Sequence, residues 1–349
     1  PLFLARIDLL LRFGALDEAQ ALLERAGPTE ASIFRRWFDV SLLTGSEDRA
    51  CATMRAAPDI APTFSARIFC LARGNDWAAA ALSLETARAL NYLSEADANL
   101  MARFLDPELF DGEPVGPLPR PLTPLAYRML QALGEAPTGG ALPLAFAHAK
   151  LGRGEGWKPR IEAAERLARR GGIAPNQLFS IYTERRQAAS GGVWDRVEAV
   201  QDFDIALLSG DDARVANALP AVDRTLGRLD LIPEFAQVYG ERLAVYDLDG
   251  SAGILAQYII AQSPFAESAV VADKITDPIL QALAHGNRVT GQTGNDHLDA
   301  LMTAFDPDQT NDLPRAIETL LVQRRFGEAA LRALTLIDGP TPDANDLEV

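Results

Sequence analysis

Residues 2–28 read LFLARIDLLLRFGALDEAQALLERAGP. Leu2, Leu4, Ile7, Leu10 and Leu11 recur at the spacing of one helix face, and Gly14 breaks the run. Leu16, Ala19, Leu22 and Leu23 restart it, and Gly27-Pro28 stops it. The stretch therefore predicts two short helices, each with a single apolar face. A helix of about 10–12 residues is not stable alone in water. Each must cover its apolar face on a neighbour.

The same unit returns along the chain. Ile33, Phe34, Trp37, Val40 and Leu43 form one face, ended at Gly45. Ser46 is placed to cap the next helix, with Glu47 and Asp48 in its positive first turn. Pro58 and Pro62 bracket a turn, and residues 64–73 and 77–90 make another pair. Ser94-x-x-Asp97 has the spacing of a capping box. Further pairs are predicted over 143–151 with 159–170, 177–183 with 193–208, and 314–325 with 326–337. Ser263-Pro264 and Asp277-Pro278 read as helix starts with proline in the first turn. Three times a tryptophan follows a glycine by three residues: Gly74 and Trp77, Gly154 and Trp157, Gly191 and Trp194. Alternating apolar strands are nearly absent, so the fold class is all-α.

The steps Gly14-x-Leu16-x-x-Ala19, Trp77-x-x-Ala80 and Phe326-x-x-Ala329 resemble the helix-to-helix junction of tetratricopeptide repeats. Gly14, Gly45 and Gly74 stand 31 and 29 residues apart, against a period of about 34 in that family. What the resemblance implies is architecture: an α-solenoid of antiparallel helical hairpins, wound as a right-handed superhelix.

Composition changes over residues 106–143, where eight prolines and five glycines fall. Only 124–133 keeps a helical pattern there, with Thr123 as its cap. Two readings stand, a flexible linker or an ordered strap lying on the helices. Leu109, Phe110, Val115, Leu118 and Leu122 favour the strap. The expected organisation is N-terminal helical repeats over 1–105, the Pro/Gly-rich strap or connector over 106–143, C-terminal helical repeats over 144–337 and a frayed tail over 338–349.

Of the 349 residues, 48% are hydrophobic, too many for a disordered chain. The net charge of -15 argues against nucleic acid and against anionic membrane surfaces as partners. No apolar run approaches the length of a membrane span, so no direct membrane insertion is expected. The chain opens at Pro1 without Met, which reads as a piece whose natural N-terminus lies upstream. Arginine far outnumbers lysine, the mark of a GC-rich, bacterial source.

No residue set has the form of a catalytic, cofactor-binding or metal site. His148, His285 and His297 are scattered. Asn295-Asp296-His297-Leu298-Asp299 has no second ligand cluster. Asp247-Leu248-Asp249-Gly250 and Asp306-Pro307-Asp308 lack the ligand ladder of a calcium loop and read as turns. Glu267-Ser268 matches the catalytic pair of lytic transglycosylases, but the segment that should follow it is missing. Gly152-Arg153-Gly154-Glu155-Gly156 follows a helix and lacks the Lys-Ser/Thr of a phosphate loop.

Two groups carry the expectations about sites. Trp194-Asp195-Arg196, after a run of small residues, is the candidate partner-binding segment. Trp37, Trp77, Trp157 and Trp194 otherwise read as core packing at helix starts. Cys51 and Cys70 flank the turn near Ile60 at about equal distance, so consecutive packed helices bring them to the same height. They are either a disulfide or two small buried hydrophobes. A disulfide implies an oxidising compartment, in a bacterium the periplasm; the alternative is the cytoplasm. The expected function is a non-enzymatic scaffold binding a protein or peptide partner along a groove, in an envelope or motility assembly. The alternative is a helical accessory domain of a periplasmic cell-wall enzyme, or an all-α enzyme.

Overall fold

The computed structural model of the chain describes residues 2–114, 116–137, 142–152, 154–186, 189–265, 313–322 and 329. The chain divides into two compact units, residues 1–266 and 267–349. Every regular element among the described residues is helical, and none is a strand.

The first unit opens with α1 (Leu2–Phe13), α2 (Leu16–Ala26), α3 (Ala31–Thr44) and α4 (Glu47–Ala56). It continues with α5 (Phe64–Arg73), α6 (Trp77–Ala89), α7 (Glu95–Leu105) and α8 (Pro124–Ala132). A 3₁₀ segment, Leu144–Lys150, leads to α9 (Trp157–Ala168) and α10 (Pro175–Tyr182). The last four are α11 (Val193–Ser209), α12 (Asp212–Gly227), α13 (Ile232–Leu243) and α14 (Gly250–Ile260). In the second unit the described helix is Leu313–Val322, with Leu320 buried and Leu321 and Val322 exposed.

Local chemistry starts and stops these helices. Thr63, Asp76, Ser94 and Thr123 each accept the N–H three residues on, at 3.1–3.2 Å. Gly45 closes α3 in the left-handed region and donates its N–H to the Ser41 carbonyl. Ser46 departs from its expected role, because its side chain makes no cap bond to α4. Gln20 of α2 reaches the same turn, and the Ser46 hydroxyl joins it at 3.3 Å and Thr44 at 3.0 Å. The expected helix at 143–151 is instead the 3₁₀ segment. Its Phe146, Ala147 and His148 are consecutive and all buried, because α1, α3 and α9 pack around it.

Consecutive helices pack on one another from α1 to α8 and from α9 to α14, and the 3₁₀ segment packs on α9. The centre of its first half is α3, which buries Phe34, Trp37, Phe38, Val40, Leu42 and Leu43. Burying a side chain of that size stabilises by about 1.5–3 kcal/mol. In a one-dimensional stack each helix pair meets only its neighbours in sequence. Here residues 124–150 return to earlier helices: α8 packs on α3, and the 3₁₀ segment packs on α1 and α3. Arg128 of α8 donates to the buried Glu47 at 2.8 Å, and Tyr127 meets Phe146 edge-on at 5.2 Å. Within the proline-rich segment Leu118, Leu122 and α8 pack into this core, whereas Leu109 is 71% exposed and Val115 lies outside the described residues. A second core gathers Phe179, Phe203, Phe235 and Tyr239 from α10, α11 and α13, with ring centroids 4.7–5.8 Å apart.

The end of α1 is a point of close approach. The Gly14 carbonyl is hydrogen-bonded by the buried His148 Nε2. A Cβ on Gly172 would stand 2.9 Å from the carbonyl oxygens of Phe13 and Gly14. Gly172→Ala is therefore expected to force α1 away from the α9–α10 junction. The cost is that of overpacking, about 1–3 kcal/mol, read as a lower thermal midpoint by circular dichroism. An unchanged midpoint would show that the contact carries no weight.

Candidate functional site

Helices α11 and α12 are joined by Gly210 in the left-handed region and by Asp211, whose carboxylate caps the Ala213 and Arg214 N–H groups. Val197, Val200, Phe203 and Leu207 of α11 are buried, as are Val215, Leu219, Val222 and Leu226 of α12. That apolar seam turns the polar faces of both helices outward. Between those faces runs a groove of about 690 Å³.

The two walls of the groove carry opposite charge. Asp195, Glu198 and Asp202 line it from α11, and Arg214 and Arg224 of α12 line it with Arg228, the residue that caps the end of α12. Its floor is small: Ala199, Ala206, Ala218 and Ala221. All six charged residues are exposed. Arg214 reaches only Asp211, at 3.8 Å, the cap residue of its own helix. Glu198, Asp202, Arg224 and Arg228 make no ion pair among the described residues. The groove thus offers unpaired carboxylates on one side and unpaired guanidinium groups on the other.

Only one member of Trp194-Asp195-Arg196 reaches this groove. Asp195 lines its edge and also accepts the Gly191 N–H at 2.8 Å, which shapes the turn into α11. Trp194 is half-buried against Trp157, centroid to centroid 5.2 Å. The Trp157 indole donates to the Ile181 carbonyl at 2.8 Å, and Arg185 lies over its ring. Arg196 points to α9, where it grips both oxygens of the buried Glu165 at 2.8 and 3.0 Å. Tyr182 donates to the same carboxylate at 2.6 Å. Trp194 and Arg196 thus brace α11 against α9 and α10.

Of the other tryptophans, Trp37 is buried, whereas Trp77 is 47% exposed and donates to Asn75 at the turn before α6. Cys51 and Cys70 are joined, with Cα atoms 4.9 Å apart and both side chains buried. Asp249 stands at the turn into α14. His148 is buried, and desolvation lowers its pKa from the ordinary histidine value. Among the described residues no three His, Cys, Asp or Glu side chains gather as metal ligands. Glu267-Ser268, Asp277-Pro278, His285, the Asn295–Asp299 segment, Asp306-Pro307-Asp308, Phe326 and the 338–349 tail lie outside the described residues. No described helix is long and apolar enough to cross a membrane.

The groove residues Glu198, Asp202, Arg214, Arg224 and Arg228 escaped the sequence reading. The usable signal was acidic residues at i, i+3 and i+7 on one helix and arginines on the next. It acquires meaning only once the two helices are known to lie side by side.

No family model, no curated protein and no solved structure matches the chain.

Proposed function

We propose that this protein is a non-enzymatic scaffold of tetratricopeptide-like, right-handed α-solenoid type, from which the return of residues 124–150 onto α1 and α3 is a departure, and that it holds a protein or peptide partner in the α11–α12 groove. The observation that carries the proposal is the pair of unpaired, opposite-charge walls over a floor of alanines. Small floor residues leave room for a partner's backbone, and the walls select its charge pattern. The fitting segment presents basic side chains to α11 and acidic ones to α12. Exposed charges of this kind set register and association rate more than raw affinity, and salt within the physiological range screens them. The Cys51–Cys70 bond favours an oxidising compartment. We place the scaffold in the bacterial periplasm on that basis, as part of an envelope or motility assembly.

A photo-crosslinking side chain at Asn217 inside the groove, with one at the exposed Arg25 of α2 as control, tests this in the native host. Discrete adducts are expected at 217 alone. Adding Arg224→Glu and Arg228→Glu should weaken them by roughly five- to thirtyfold, since each exposed contact contributes about 0.5–1 kcal/mol. Equal labelling at both positions would refute the groove.

A further inference from the structure

The charge pattern of the α11–α12 groove narrows the choice of partner, on the reading that the groove holds a protein. Three carboxylates line it from one wall and three guanidinium groups from the other. The face is therefore locally neutral in a chain of net charge -15. A surface that fits it must carry the same two stripes in reversed order. The groove itself, turned over, has that pattern.

We infer that the partner is a second copy of this chain, and that α11 of each copy lies on α12 of the other about a two-fold axis parallel to the helices.

A two-fold axis in the contact plane runs either along the helices or across them. Across them, α11 meets α11 and carboxylates face carboxylates. Along them, each acidic wall meets a basic one. That rotation also keeps every residue at its own height along the axis, so the opposed charges must be level. Helices α11 and α12 run antiparallel from the Gly210–Asp211 turn. Glu198 lies 12 residues before Gly210, and Arg224 lies 13 after Asp211. Asp195 lies 15 before and Arg228 lies 17 after. At about 1.5 Å of rise per residue, both pairs are level to within about 3 Å, inside the reach of an arginine side chain. Asp202, 8 before, is level in the same way with Asn217, 6 after, whose amide can donate to it. Arg214 stays with Asp211.

The packing agrees. Alanines on the floor let opposed helices approach to about 8 Å. Ile205, 49% exposed at the groove, gains cover there. The helices are 17 and 16 residues long, so the pair presents a face of roughly 25 by 20 Å. About 1,000 Å² is then buried over both copies, near the lower limit of a specific interface. The dimer is accordingly weak and sensitive to salt.

Sedimentation velocity of the full chain over a wide concentration range, in low and in high salt, reads the association. A monomer–dimer equilibrium is expected, at least several-fold weaker in high salt. Glu198→Arg and Arg224→Glu are both at exposed positions. Each reverses two symmetry-related pairs and should weaken its own dimer by about tenfold or more. Mixed in equal amounts, the two variants should recover a one-to-one dimer. The introduced arginine then meets the introduced glutamate, and the native Arg224 meets the native Glu198. A monomer at every concentration, a dimer indifferent to both substitutions, or no recovery on mixing would overturn the inference. Photo-crosslinking at Asn217 separates this outcome from failure of the groove reading. An adduct of twice the chain mass supports the dimer. Adducts of other masses alone overturn the dimer and keep the groove as a protein site. Equal labelling at 217 and at Arg25 overturns both.

Discussion

Glu165→Ala is expected to destabilise the first unit by about 3–5 kcal/mol, the range for breaking a buried charge pair from one side. The carboxylate sits on α9, buried, and accepts from Tyr182 of α10 at 2.6 Å and from Arg196 of α11 at 2.8 and 3.0 Å. Three helices meet through this one group. Its removal strands a guanidinium group with little access to water and a fully buried phenol. The phenol cannot take over the charge, because burial holds the Tyr182 pKa well above the ordinary tyrosine value. Glu165→Gln keeps an acceptor for Tyr182 and loses the charge, so a smaller cost is expected, about 1.5–3 kcal/mol, the worth of a charge-assisted bond. Urea unfolding with unchanged m values reads both variants. A cost below about 1 kcal/mol for Glu165→Ala would mean that the network does not hold α9, α10 and α11 together.

Reduction of the Cys51–Cys70 bond is expected to cost about 3 kcal/mol, the entropy of closing a loop between residues 19 apart. Reduced protein keeps the same atoms in the same core, so the reduced wild type isolates this contribution. A Cys51→Ala/Cys70→Ala variant adds the loss of two buried sulfur atoms and should melt lower still. Both cysteines are buried, so the bond should resist mild reductant in the folded protein and open at the rate of unfolding. Thermal melts with and without reductant should differ by roughly 6–12 °C. Thiol labelling after denaturation without reductant, on protein from its native host, should find none free. Two free thiols there would remove the support for a periplasmic location.

Much of the architecture is legible along the chain because helix signals are local. The apolar spacing of residues 2–28 places α1 and α2, and the resulting Ile7, Leu16, Ala19 and Leu23 are buried. The caps at Ser94 and Thr123 form as read, since their partners lie three residues away. Ser46 was misread for the complementary reason: the group that claims its hydroxyl, Gln20, lies 26 residues upstream. The 143–151 segment has an apolar pattern that a helix would satisfy. It forms instead as 3₁₀ and packs against α1, α3 and α9. Nothing in the sequence distinguishes Trp77 from Trp157, yet one is half exposed and the other buried under Arg185. Likewise Trp194-Asp195-Arg196 stood out for its flexible approach, whereas two of its three side chains face the unit's interior.

Helix content, helix ends and the all-α class follow from residues within about four positions of each other, and such signals survive in a bare string of letters. Which charges remain without partners, which aromatic rings meet water and which clefts open are set by neighbours 15 to 134 residues away, as Arg55 with the Cys70 carbonyl and His148 with that of Gly14 illustrate. Burial and ion pairing are properties of those distant neighbours. The groove between α11 and α12 therefore came into view only when the helices were packed.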